Sequence, residues 1–339
     1  PGCLVFDARD WLAPELAYAL RAMASQLFIV ENHGTLNVFG HNPLHVDVLF
    51  DEGVWDPIHG GDPGVLSGIG SNLINTGQII VHPDSSLRFQ VWIDERDPQR
   101  MTFDQGTWTL LGGGVHVELA SINNGLDRAA WTLAINASHV TLSGDAAFPF
   151  LNTVEENRGT LILQNNHHFT TAGDLLNTGL IRVESGATLE MPDARLMIDE
   201  GSVFIDGAGG AGLVGATIID LRGGSFTNDM AAGPLSIARQ WVVRDKWIGE
   251  DDEGNAVIRP ATVSFGDAHI DRVLIGGGVT LEGSTATMAP LTTLTHNAGA
   301  LTITGGAVLG LTQDLHNAAT GRIEISRGGQ LLVDGSDRK

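Results

Sequence analysis

The sequence predicts an all-β protein, a single right-handed parallel β-helix (a β-solenoid of about 20 residues per coil) with a short N-terminal capping helix. Three observations carry that expectation. An Asn-x-Gly motif recurs along the chain, the apolar residues after it are spaced by two, and glycine is abundant, with 44 in 339 residues.

With the asparagine as origin, glycine follows two residues later in Asn32/Gly34, Asn75/Gly77, Asn157/Gly159, Asn177/Gly179 and Asn297/Gly299. The fourth and sixth positions are then apolar: Leu36/Val38, Ile79/Val81, Leu161/Leu163, Ile181/Val183 and Leu301/Ile303. The twelfth position is apolar as well, in Leu44, Leu87, Phe169, Leu189 and Leu309. Asn317 opens a sixth copy with two extra residues, so that its apolar pairs are Ile323/Ile325 and Leu331/Val333. A period of two is the period of a strand with one buried face. A further apolar pulse precedes the asparagine at Val30, Leu73, Leu175 and Leu315. Three short strands per unit close a coil.

The clearest neighbours, Asn157 to Asn177 and Asn297 to Asn317, are 20 residues apart, and the larger gaps fall near two, four and six such periods. Stacked coils repeat at the strand spacing of about 4.8 Å. In that arrangement the glycine supplies a positive φ at a corner. The asparagine bonds its own corner backbone and its stacked neighbours, and the aliphatic pairs form an inward column.

The first coil of a solenoid needs a lid. Residues 1–29 are expected to provide it through a helix over Asp7–Gln26, with Pro14 at its first position and Leu16, Ala19, Leu20 and Met23 on one face. Residues 30–339 form the β-helix. Stretches near 41–72, 90–105 and 240–260 do not scan as coils and are expected to be loops, where function on a rigid repeat usually sits. No lid follows "LLVDGSDRK". The C-terminal face is therefore expected to be covered by continuing chain, a further domain or another subunit, including self-association.

The chain is acidic, with 19 Lys+Arg against 40 Asp+Glu and a net charge of −21. Such a surface repels phosphate backbones, which argues against nucleic acid as a partner. Cys3 is the single cysteine, so no internal disulfide forms. No apolar run approaches the length of a membrane span.

The repeats between Val30 and Val333, Asn-x-Gly followed by aliphatic pairs, resemble those of filamentous-haemagglutinin-type and autotransporter-type adhesins. The resemblance implies an exported protein, extracellular or at the cell surface. On that reading it is expected to act as a non-enzymatic scaffold, adhesin or filament-forming subunit, with carbohydrate or another surface protein as ligand. The same architecture also hosts carbohydrate-active proteins, namely polysaccharide lyases, hydrolases and phage tailspikes, and these are the alternative reading. "VWID" (Val91–Asp94) resembles the vWiDH motif of pectate lyases, but Glu95 stands where that motif has histidine. "RDPQR" (Arg96–Arg100) resembles the lyases' arginine motif, yet is one residue short and follows directly. No catalytic residue is assigned.

Trp92, Trp241 and Trp247 lie in or beside the interruptions. They are candidates to stack on sugar rings, or else to fill the loops' own cores. For metals, "HNPLHVD" places His41, His45 and Asp47 together in sequence, but i and i+4 of a strand are more than about 13 Å apart. No cofactor is expected except calcium at Glu250, Asp251, Asp252 and Glu253, a run that reads equally as a solvated hairpin tip.

Overall fold

Alternating apolar residues become strands along the whole computed structural model, which describes residues 4–6, 30–32, 34–38, 48–50, 73–75, 77–83, 86–91, 100–103, 106–121, 132–206, 211–229 and 233–333. Its described residues form an all-β parallel β-solenoid of about 22 residues per turn, with almost no helix among them. The chain divides into two compact units, Pro1–Ala172 and Gly173–Lys339.

In the first unit one wall runs Leu4–Phe6, Thr35–Val38, Gln78–Val81, Thr107–Leu111, His139–Ser143 and Thr160–Gln164, each parallel to the next. Inward positions stack in columns: Val81, Leu110, Leu142 and Leu163 are buried and are successive register partners, with Val38 before them in the same register. A second wall contains Arg100–Phe103, Thr132–Asn136 and Glu156–Asn157. A third contains Val48–Phe50, Ser86–Val91 and His116–Ser121.

The second unit repeats the plan. Wall one runs Leu180–Val183, Ser202–Ile205, Ser225–Asn228, Thr262–Ser264 and Thr287–Met288. Wall two runs Leu175–Asn177, Arg195–Asp199, Ile218–Arg222, Gln240–Arg244, Gly278–Glu282, Ala300–Thr304 and Arg322–Ile325. Wall three includes Gly233–Ile237, Ala268–Val273, His296–Asn297 and His316–Asn317. Leu175, Leu196, Ile219, Trp241, Val279, Leu301 and Ile323 are one inward column. Its one long step, from 241 to 279, holds an antiparallel hairpin of Lys246–Glu250 with Ala256–Arg259. Each buried aliphatic of such a column contributes about 1.5–3 kcal/mol.

Four expectations about the coil are corrected. The turn is about 22 residues, not 20. The Asn32–Asn75 gap is one turn rather than two, because Asn32 and Asn75 are direct register partners. The Asn75–Asn157 gap is three turns rather than four, since Gln78, Thr107, His139 and Thr160 follow one another across it. Finally, the asparagines mark two corners rather than one. Asn177 ends a wall-two strand and leads into wall one, whereas Asn297 and Asn317 end wall-three strands and lead into wall two. Val183 and Ile303 are both fully buried, but in different walls.

The glycine's role also differs from expectation. Gly159, Gly179 and Gly299 do not have a positive φ. Gly159 and Gly299 are glycines because the neighbouring coil passes too close for any side chain. A Cβ on Gly159 would lie 2.1 Å from the Ser138 carbonyl oxygen, and one on Gly299 would lie 2.3 Å from that of Gly277. The same correction applies to Gly34 and Gly77, expected as positive-φ corners: neither is among the described glycines with a positive φ. What each supplies to its corner is a carbonyl. The Gln78 amide donates to Gly34 O (2.8 Å) and the Thr107 amide to Gly77 O (2.9 Å), so each ties its coil to the next one. Gly179 O accepts from the Ser202 amide (2.8 Å) in the same way.

The helix expected over Asp7–Gln26 lies outside the described residues. Within the span expected to be a lid, Leu4–Phe6 is itself a coil strand. Among the stretches expected as loops, Val48–Phe50, Arg100–Phe103 and Gln240–Arg244 are strands of the coil, and the rest of the third holds the hairpin at 246–259.

Candidate functional site

The hairpin is the largest described departure from the coil, and its base is stitched to the solenoid. The chain leaves wall two at Asp245, whose amide donates to Glu282 O (2.9 Å). It returns at Ala261. The Asp245 carboxylate accepts from the Ala261 amide (3.3 Å) and from the Thr285 amide of the next coil (2.8 Å), so a single side chain closes the neck. Gly283, at φ +106°, leaves the space that this carboxylate fills.

The first residue pair of the hairpin, Lys246 opposite Arg259, turns back onto the coil. Lys246 Nζ lies 2.7 Å from Asp199 Oδ1 and 3.0 Å from Glu200 Oε1, and Arg259 pairs with Glu200. The hydrogen bonds to Asp199 and then Glu200 hold the Lys246 ammonium above its ordinary pKa. Beneath the pair is Gly223, where a Cβ would lie 2.8 Å from Lys246 Cβ.

The next pair, Trp247 opposite Ile258, alternates to the other face. Trp247 is 64% exposed, and Ile248 and Ile258 are exposed beside it. The ladder bulges between Trp247 and Gly249. At the tip Asp251 accepts from the amides of Glu253 (3.0 Å) and Asn255 (2.8 Å) and from the Asn255 side chain (3.0 Å). The bonds from Asn255 hold the Asp251 carboxyl below its ordinary pKa. Glu250, Asp252 and Glu253 are exposed around this turn. Among the described residues no group of three or more His, Cys, Asp or Glu side chains is placed to hold a metal ion.

Below the hairpin, the outer face of wall two carries a charge cluster that sequence reading missed. Asp220 is fully buried, and Arg195, Arg222 and Arg244 converge on it. Arg222 Nη2 is 3.2 Å from Oδ2 and Arg244 Nε is 3.2 Å from Oδ1, with Arg195 also on Oδ2. The three arginines come from three successive turns, so this carboxylate ties the coils that support the hairpin. The signal was present in the sequence as an acidic residue within an otherwise apolar strand, "IIDLR", flanked one turn either way by arginines.

Of the two described tryptophans among the three singled out, Trp247 is exposed. Trp241 is 6% exposed and sits inside the coil, edge-on to Phe226 (5.1 Å) and Phe265 (5.6 Å). A cavity of about 160 Å³ adjoins that aromatic group. Trp92, the segment from Trp92 to Gln99 that contains most of the lyase-like motifs, and His41, His45 and Asp47 lie outside the described residues.

In the first unit a shallow groove is lined by Asp145, Asn165, Asn166, His167 and His168. Asp145 accepts from the amides of Gly114 and Gly113, in that order of effect, and they lower its pKa. His167 is buried and donates Nδ1–H to Gly144 O (2.7 Å). Burial pushes its pKa down.

No described helix is long and apolar enough to cross a membrane. Coil, hairpin and clamp together define a parallel β-solenoid carrying a displayed hairpin. No protein-family model, curated protein or solved structure matches the chain.

Proposed function

We propose that this protein is a non-enzymatic scaffold, an adhesin-like β-solenoid of an exported surface protein that holds out the 246–259 hairpin for recognition. The observation that carries this reading is the contrast between the hairpin's two faces. Lys246 and Arg259 tie one face to Asp199 and Glu200, while Trp247 and Ile258 leave the other face apolar and open. An aromatic ring held on an ordered base loses little conformational freedom on binding, which suits it to stack on a sugar ring or pack against a protein. The Asn-x-Gly repeats and their adhesin-type resemblance support an extracellular or cell-surface setting. The coil carboxylates that meet the hairpin's base, Asp199 and Glu200, are engaged by cations rather than set apart as an acid and a base.

A glycan array and a panel of host and bacterial surface proteins test this reading, with the whole chain as probe. Binding is expected, and Trp247→Ala is expected to weaken it at least tenfold at an unchanged melting temperature. Turnover of pectin, alginate or a similar polysaccharide that Asp94→Asn or Arg96→Ala abolishes would instead establish the carbohydrate-active alternative.

A further inference from the structure

The third wall of the second unit is interrupted where the other two walls are continuous. Thr188–Glu190 pairs with Gly212–Val214, and Gly233–Ile237 pairs with Ala268–Val273, but Gly212–Val214 and Gly233–Ile237 belong to separate sheets. Over the same step wall one pairs Ser202–Ile205 with Ser225–Asn228, and wall two pairs Ile218–Arg222 with Gln240–Arg244. The cavity of about 160 Å³ lies at this break. Its lining runs from Ile219 and Ile270, fully buried, to Ser236 and Ala238, exposed, so it leads from the coil interior to solvent.

The buried part of the lining is aromatic. Phe226 stands edge-on to Trp241 (5.1 Å between ring centroids) and to Phe265 (6.2 Å), and Trp241 stands edge-on to Phe265 (5.6 Å). An apolar cavity of about 150 Å³ is enough to hold a benzene ring. A flat ring entering here meets the ring edges and faces that aromatic groups prefer as neighbours.

The cavity also carries a cation, Arg239, which is half-buried. Arg239 holds the corner position just before Gln240. In the next three coils the residues just before Gly278, Ala300 and Arg322 hold that position, and they are Gly277, Gly299 and Gly321. A Cβ on each of those would lie 2.3, 2.3 and 2.2 Å from a carbonyl oxygen of the coil before. Arg239 can carry a side chain at this corner because no paired wall-three strand precedes its own, so its Cβ points across the break. The guanidinium has no hydrogen-bond or ion-pair partner among the described residues. Burial pushes its pKa down, and no carboxylate acts to raise it. In a chain with 40 Asp+Glu and a net charge of −21, a half-buried cation left unpaired stands out, because burying a charge without a partner costs free energy. Its N–H donors form a planar fork that matches a carboxylate.

We propose that this cavity binds a small monocyclic aromatic carboxylate, with the ring among Phe226, Trp241 and Phe265 and the carboxylate paired with Arg239. A sugar ring would bury hydroxyls against aromatic carbon without partners, and a neutral aromatic would leave the guanidinium unsatisfied. The site shares no residue with the exposed hairpin face and stands or falls apart from it.

Calorimetric titration of the whole chain with benzoate, phenylacetate and 3-phenylpropionate tests the site, with the amide of each acid as its neutral control. At least one acid is expected to bind one to one, to raise the melting temperature and to bind more tightly than its amide. Arg239→Gln is expected to weaken that acid about tenfold or more, to leave the amide unchanged and to melt no lower than wild type, since it removes a desolvated charge. Leu235→Trp, which fills the cavity, is expected to abolish binding. On the wild-type chain, nuclear Overhauser contacts from the bound ring to Phe226, Trp241 and Phe265 are expected, which decides the matter even if a variant fails to fold. The proposal is overturned if no acid binds at millimolar concentration, if the amides bind as tightly as the acids, or if either folded variant binds like wild type. Ring contacts to Trp247 in place of those three residues would overturn it equally.

Discussion

Replacing Asp220 by asparagine removes one negative charge and almost no volume. In the native coil that carboxylate is fully buried, and the side chains of Arg195, Arg222 and Arg244 are 32%, 40% and 33% exposed. The variant leaves three like charges converging on a neutral amide whose own N–H groups face donors. Breaking a buried ion pair on one side costs about 3–5 kcal/mol. The arginines reach solvent over about a third of their surface, which screens their repulsion and places the cost near the lower bound, about 3 kcal/mol. For a unit of this size each kcal/mol moves the melting temperature by about 2–4 °C, so Asp220→Asn is expected to melt about 6–12 °C lower. Circular dichroism during heating and urea unfolding measures it. Adding Arg222→Gln to Asp220→Asn is expected to recover part of the loss, because it removes one of the stranded charges. Asp199→Asn, whose partner Lys246 is at the surface, is expected to cost at most about 1 kcal/mol. An Asp220→Asn protein within about 0.5 kcal/mol of wild type would refute the clamp.

Three further outcomes are expected. Val183→Asp places an unpaired charge in a fully buried inward column and is expected to cost several kcal/mol, read by thermal melting; a wild-type melt would mean that the register is wrong. Gly299→Ala is expected to destabilise strongly because its Cβ would meet a backbone carbonyl at 2.3 Å, whereas Gly310→Ala, with nothing within 4 Å, is expected to be neutral or to stabilise by about 0.4–1 kcal/mol; equal effects in urea unfolding would contradict the close-approach account. His167 has its pKa lowered by burial from the ordinary 6.5, so the unfolded chain takes up its proton first as pH falls. Its contribution is therefore complete above that value and is lost as pH drops through 6.5 toward the folded value. The stability of His167→Gln is expected to change less over that window than wild type, and parallel pH profiles would sink the assignment.

The strands were legible in the sequence because each coil writes its buried face at every second residue. Val81, Leu163, Val183 and Ile303 all point inward as their spacing required. The turn count was not, because the asparagine is a variable part of the corner. Asn177 is followed in register by Ile198, which breaks an asparagine count while the coil continues. The close approach continues as well: Gly201 would place a Cβ 2.5 Å from Asn177 O, and Gly224 would place one 2.7 Å from Gly201 O. Glycine followed by Ser or Thr and alternating apolar residues, as in "GSVFI" and "GGSFT", is the more general signature of the corner. Asn136, whose amide donates to Asn157 Oδ1 (2.7 Å), was passed over because serine stands two residues on. The switch of corner between Asn177 and Asn297 leaves no local mark, since both serve the same turn chemistry on different edges of the coil. The hairpin was visible as an acidic interruption. Its exposed Trp247 and buried Trp241 differ only by which side of Asp245 they occupy, a distinction that packing makes and composition does not.

Cross-coil disulfide trapping tests the parallel, in-register stacking most directly. Thr280 and Thr302 are outward register partners on adjacent wall-two strands, so their Cα atoms are separated by about the strand spacing of 4.7–4.9 Å, within reach of a disulfide. With Cys3→Ser as background, the pair Thr280→Cys and Thr302→Cys is expected to oxidise readily with the native melt preserved. The pair Thr280→Cys and Thr304→Cys, two residues out of register, is expected to stay reduced. Oxidation of the second pair in preference to the first would contradict the coil register on which everything above rests.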